Sequence, residues 1–137
     1  MTGIKCTIKL ESHQSMAGER ETSIEEYEGS FASRNDKKYL TYKRITEDGQ
    51  VNCLITFDRK SFSLTQKGAI DSKLLIVPGQ ETHNTYGTPM GTLELKIYAR
   101  RYQIVETKDQ VKIFLDYDIV TGDEPIETTM DITVTFG

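Results

Sequence analysis

Of 137 residues, 48 are Thr, Ile, Val, Tyr or Phe, whereas Ala and Leu together supply only 13. Branched and aromatic side chains suit a pleated, half-buried surface, and too few good helix formers are present for a helical bundle. The formal net charge of −4 argues against a nucleic-acid partner, which needs a basic face. No apolar run approaches the roughly 20 residues of a membrane span.

In chain order, Ile4, Cys6, Ile8 and Leu10 alternate with Lys5, Thr7, Lys9 and Glu11, which predicts a strand with one buried face. The alternating lysines leave no continuous apolar stretch for a secretory signal. Residues 12–22 are polar, contain Gly18 and read as a loop with room for one helical turn. Ile24, Tyr27, Gly29 and Phe31 mark a second strand, with Gly29 at a bulge or close approach. Asn35-Asp36 is a turn, and Lys38 to Thr46 is a third strand. Glu47-Asp48-Gly49 is a hairpin signal, and Val51, Cys53, Ile55 and Phe57 then share one face. After a turn at Asp58-Arg59-Lys60, Phe62, Leu64 and Gln66 line a further strand that Gly68 ends. Lys73 to Val77 is short and stops at Pro78-Gly79, and Glu81 to Tyr86 is a polar, Thr-rich strand.

Past a turn at Thr88-Pro89-Met90-Gly91, the apolar residues Leu93, Leu95, Ile97 and Ala99 hold odd positions. Beyond Arg100-Arg101, Tyr102 and Ile104 hold even ones. A one-residue slip flips the faces of a strand, so a bulge or sharp bend is expected near residues 99–102. Lys108-Asp109-Gln110 turns the chain into Val111 to Ile119, and Gly122-Asp123-Glu124-Pro125 turns it into Ile126 to Phe136. All three prolines fall in turns, as a sheet requires. With no helical segment to serve as a crossover, parallel βαβ units are excluded. The expectation is an all-β, up-and-down antiparallel meander of nine or ten strands in one domain, residues 1–137. Closure into a barrel would hide its edges, and a two-sheet sandwich is the alternative.

The string Gln66-Lys67-Gly68, Ser72, Pro78-Gly79 and Tyr86-Gly87-Thr88-Pro89-Met90-Gly91-Thr92-Leu93-Glu94-Leu95 resembles the YwiB-like family of small bacterial proteins. The resemblance implies a calycin-like, lipocalin-related antiparallel barrel in the cytoplasm. The family is a domain of unknown function, so the resemblance implies a fold and no activity. Gly3-Ile4-Lys5 lacks the Trp of the secreted lipocalin signature.

Several side chains could carry chemistry. Arg101 continues the inward positions of residues 93–99, and an interior guanidinium matches a carboxylate ligand. It could equally pair with Asp116 or Asp118, or be returned to solvent by the bulge. Tyr86 stands at the Gly- and Pro-rich turn, where its hydroxyl could rim a cavity, and Gln66 lies on an inward face. Glu25, Glu26 and Glu28 read as a solvated face, and His83 as a surface histidine without a nucleophile beside it. Cys6 and Cys53 read as reduced, buried thiols of a cytoplasmic protein, although sequence alone leaves a disulfide open. Two histidines and no CxxC pair make a metal site hard to assemble.

The sequence therefore favours a non-enzymatic binder of a small apolar or amphipathic ligand, with Arg101, Tyr86 and Gln66 as polar contacts. It calls for no cofactor, no nucleic acid and no membrane span. The alternative is a filled barrel acting as a structural or protein-interaction module, with a homodimer as one form.

Overall fold

The alternating pattern folds into ten strands in a computed structural model, which describes residues 3–88, 90–121 and 124–136. They are β1 (Ile4–Met16), β2 (Glu19–Arg34), β3 (Lys37–Thr46), β4 (Gly49–Phe57) and β5 (Phe62–Gly68). β6 (Asp71–Ile76), β7 (Glu81–Thr88), β8 (Gly91–Glu106), β9 (Gln110–Val120) and β10 (Ile126–Phe136) follow. Each strand pairs antiparallel with its neighbours in sequence, and β1 pairs with β10 to close a barrel. The all-β up-and-down barrel is therefore what the chain forms, and the sandwich is not. The two expected turns at Thr88–Gly91 and Gly122–Pro125 include Pro89, Gly122 and Asp123, which lie outside the described residues.

Two readings of local structure had opposite outcomes. The polar segment 12–22 is not a loop: β1 runs on to Met16, and the chain reverses over Ala17 and Gly18, with φ of 51° and 84°. Positive φ at both central residues matches the twist of a two-residue hairpin. The segment hid its strands because neither of its faces is fully buried, so no apolar alternation marks it. The bulge near residues 99–102 is present. Ala99 opposes Tyr117 and Arg101 opposes Asp116, which leaves Arg100 as the extra residue.

The chain ends and the even-to-odd turns define the base of the barrel, and the odd-to-even hairpins define its mouth. The base is packed solid. Phe57, Phe62 and Ile76 lie side by side there, each at most 1% exposed. Phe62 also meets the Tyr102 ring edge-on, at 6.4 Å between centroids. The Tyr102 hydroxyl donates to the Asp58 and Ser61 carbonyls and pins the β4–β5 turn. Towards the mouth the inward positions become polar: Ser12, Gln14, Glu25, Arg44, Gln66 and Ser72 replace Ile, Leu and Phe.

The ladder is interrupted twice. Between β6 and β7 only three residue pairs form, and side chains take over at Leu75. The Asn84 Oδ1 accepts from Leu75 N at 2.8 Å, and the Thr82 hydroxyl donates to Leu75 O at 2.7 Å. Between β2 and β3 pairing stops at Gly29–Tyr42, so β2 residues 19–28 have β1 on one side and no strand on the other. Gly29 is the closest approach before this fork. A Cβ there would stand 2.4 Å from the Thr41 carbonyl oxygen and 2.8 Å from Ile8 Cδ1. Only glycine lets the two backbones touch before they part.

Candidate functional site

A row of directly opposed inward residues crosses seven strands: Cys6, Gly29, Tyr42, Cys53, Gln66, Ser72 and Tyr86. Such a row runs perpendicular to the strands, and strands in a barrel tilt, so it climbs from the base to the mouth. Two of the three residues singled out from sequence, Gln66 and Tyr86, stand in it. Gln66 is 8% exposed. Its amide donates to Cys53 Sγ at 3.8 Å and its oxygen accepts from the Ser72 hydroxyl at 3.0 Å. Ser72 in turn opposes Tyr86, which is half-buried.

Arg101 is not in the row, and its expected inward placement is corrected. The bulge consumes one residue at Arg100, so the inward positions resume at Tyr102. Arg101 lies on the outer face, its guanidinium 5.6 Å from the Phe114 ring centroid, a cation–π contact. Its neighbour Arg100 takes the acids that were candidate partners. It donates to Asp116 from Nε at 3.1 Å and also contacts Asp118.

The arginine that does face inward is Arg44, which the sequence reading passed over. The signal was available: Leu40 and Tyr42 are inward, and Arg44 is the next even position of the same strand. Arg44 points into the mouth across the β2–β3 fork and lies 3.9 Å from Glu25. Glu25 accepts a shorter bond, 2.7 Å, from the Tyr27 hydroxyl, and the Tyr27 ring stacks on Tyr42 at 4.9 Å. Burial opposes the Arg44 charge, but Tyr27 and Glu25 beside it outweigh that and stabilise the cation. Burial pushes the Tyr27, Tyr42 and Cys53 groups up from their ordinary values, so they stay protonated at neutral pH. The arrangement offers one fixed cation and several neutral hydrogen-bond groups beside partly exposed apolar side chains such as Leu74 and Leu95.

The remaining candidates separate clearly. Glu26 and Glu28 are exposed, whereas Glu25 is turned inward. His83 is 77% exposed and lies 3.9 Å from Glu81. Cys6 and Cys53 are both buried free thiols. β2 and β3 stand between their strands, so three inter-strand steps separate them by roughly 14 Å along the wall. A disulfide needs Cα atoms within about 7 Å, so none can form between them. Among the described residues no three His, Cys, Asp or Glu side chains are grouped to hold a metal. A groove of about 650 Å³ lies on the outer face, flanked by Glu28, Lys43, Leu54 and Lys67. Gln66, Ser72 and Tyr86 are not among the residues that line this groove.

Comparison with known proteins agrees with this architecture. A family model described as "Domain of unknown function (DUF1934)" matches residues 8–132. The chain is 25% identical over 133 residues to the uncharacterized beta-barrel protein YwiB of Bacillus subtilis (strain 168), covering 97% of this chain and 89% of that protein. The crystal structure of the ywiB protein from Bacillus subtilis superposes with a TM-score of 0.89 at 23% identity, covering 98% of this chain and 92% of that one. The resemblance carried by the Tyr86–Leu95 string is thus borne out.

Proposed function

The chain belongs to the DUF1934 family, whose description names no activity, and from its geometry we propose a non-enzymatic binding protein for a small amphipathic molecule held at the barrel mouth. One observation carries this reading. The interior changes from a packed apolar base to a half-exposed polar mouth that holds a cation, Arg44, which hydrogen-bonds the Tyr27 hydroxyl and lies 3.9 Å from the Glu25 carboxylate. A building block that needed only stability would gain little from such a group in its interior. Ligand sites combine apolar walls with a few convergent polar groups that fix orientation. Here Arg44 would take an anionic head group, Gln66 and Tyr86 would orient it, and Leu74 and Leu95 would cover its apolar part. Ser72 and Gln66 spend hydrogen bonds on each other, so a head group would exchange with that bond. The thiols Cys6 and Cys53 suit a reducing, cytoplasmic setting. The packed base keeps a second reading in play, a module that acts through its surface.

Titration of the protein with a dansyl-labelled undecanoate tests the first reading. Saturable fluorescence enhancement is expected, with affinity reduced about ten-fold or more in Arg44→Leu, because a charge-assisted hydrogen bond is worth roughly 1.5–3 kcal/mol. Arg101→Leu, on the outer face, should bind as the parent does. Equal loss in both variants, or no saturable binding, would remove the mouth as the site.

A further inference from the structure

Charge is spread unevenly over the barrel. The chain carries 21 carboxylate side chains against 17 lysines and arginines, yet β3, β4 and β5 hold Lys37, Lys38, Lys43, Arg44 and Lys67 and no carboxylate. The groove of about 650 Å³ lies on the outer face of these three strands. Tyr42 and Cys53 point inward, so it is their backbone that floors it. One bank is a single row across the strands, in which Lys43 opposes Asn52 and Asn52 opposes Lys67. The other bank is the next outward row, Thr41, Leu54 and Thr65. Strands lie about 4.8 Å apart, so the two lysine stems start about 10 Å apart, with Asn52 between them. Both side chains are long enough to bring their ammonium groups together above it.

The row holds donors that the protein leaves unused. Among the described residues neither Lys43 nor Lys67 makes an ion pair. The Asn52 Oδ1 accepts from the Gln50 amide at 3.1 Å, and its Nδ2 has no protein acceptor among the described residues. Glu28, the one acid among the lining residues, stands on β2 past the fork and pairs with neither lysine.

We propose that this groove binds an organic phosphate, its phosphoryl group held by Lys43, Asn52 and Lys67 and its apolar part laid on Leu54. The match is one of charge and of number. A phosphate monoester carries about −1.5 to −2 charge at neutral pH and three strong acceptor oxygens. Two ammonium groups and one amide supply two positive charges and a donor for each oxygen. A carboxylate has one charge and two oxygens, and would leave one lysine without a counter-charge. Leu54 is 38% exposed, which leaves an apolar surface beside the donors, and the groove's volume lies within the roughly 300–1,000 Å³ of small-molecule sites. The barrel wall separates this groove from the mouth, so the inference stands whether or not the mouth binds a ligand.

Amide nitrogen–proton spectra of the protein titrated with phenyl phosphate read the groove directly. Saturable shifts are expected at Lys43, Asn52, Leu54 and Lys67. Phenyl phosphate should bind several-fold more tightly than inorganic phosphate, which lacks the apolar part, and than benzoate, which has a single charge. Asn52→Asp, which sets a carboxylate between the lysines at constant size, should weaken binding about ten-fold or more, as should the K43A/K67A double variant. Glu28→Gln should tighten it. Lys112→Ala on β9 and Arg44→Leu in the mouth should bind as the parent does. The absence of saturable shifts at the four groove residues overturns the proposal. So does equal affinity for inorganic phosphate or benzoate, an Asn52→Asp protein that binds as the parent does, or loss of binding in Arg44→Leu. Far-UV circular dichroism of each variant, expected to match the parent because the substituted groove residues are exposed, separates loss of binding from loss of fold.

Discussion

Replacing Phe62 with alanine is expected to lower the unfolding free energy by about 3–5 kcal/mol, the range for large aromatic truncations in a core. Phe62 is fully buried at the base, between Phe57 on β4 and Ile76 on β6. It also supports Tyr102, which pins the β4–β5 turn. The site cannot readily collapse, because its neighbours belong to a closed wall. A domain of this size has only about 5–15 kcal/mol in total, so the loss is a large fraction of it. Urea unfolding checks this: the midpoint should fall with little change in the slope. Leu93→Ala, at a side chain 60% exposed, should change stability by about 0.5 kcal/mol or less. If Phe62→Ala costs less than about 1 kcal/mol, the base is not the packed unit described above.

The barrel is also expected to unfold at alkaline pH, between pH 10 and about 12. Tyr42, Tyr102 and Tyr117 are raised from the ordinary tyrosine value of 10.0, each chiefly by burial, and Tyr117 is pushed up to about 12. In the unfolded chain these phenols lose their protons near pH 10, whereas in the barrel they keep them. Above pH 10 the native state therefore binds more protons than the unfolded state, and stability falls as pH rises. Below pH 10 both states are protonated, and the contribution is fully present. One such group contributes a slope of about 1.4 kcal/mol per pH unit, so three approach roughly 4 kcal/mol per unit until the Tyr117 value is reached. Tyrosinate absorbance followed alongside circular dichroism checks this. The buried tyrosines should ionise together with the loss of strand signal, not before it. Early titration of all seven tyrosines with the strand signal intact would contradict their burial.

The physics that makes this barrel also decides which parts of it can be read from the chain. Strands with one dry face announce themselves: Val51, Cys53, Ile55 and Phe57 alternate with polar residues, and all four are buried. The Arg100 bulge was legible for the same reason, because a change of phase in the alternation has few structural remedies. The β1–β2 hairpin around Ala17-Gly18 was not legible, since the mouth leaves both of its faces wet and alanine does not advertise positive φ. The site was half legible. Gln66 and Tyr86 were placed by alternation in the first case and by the Gly- and Pro-rich string in the second. Arg101 was misplaced because extending the odd-numbered phase through the bulge assigns it the wrong face. Arg44 was missed because an arginine on an otherwise apolar face reads as an exception. The β2–β3 fork depends on where pairing stops, which is a property of two segments together and not of either one.

The measurement that bears most directly on ligand binding at the mouth is a pair of amide nitrogen–proton correlation spectra, without and with undecanoate. The account predicts saturable shifts at Arg44, Gln66, Ser72, Leu74 and Tyr86, with the amides of Phe57, Phe62 and Ile76 at the base unchanged. Shifts confined to the outer groove around Lys43, Leu54 and Lys67, or no saturable shifts, would contradict it.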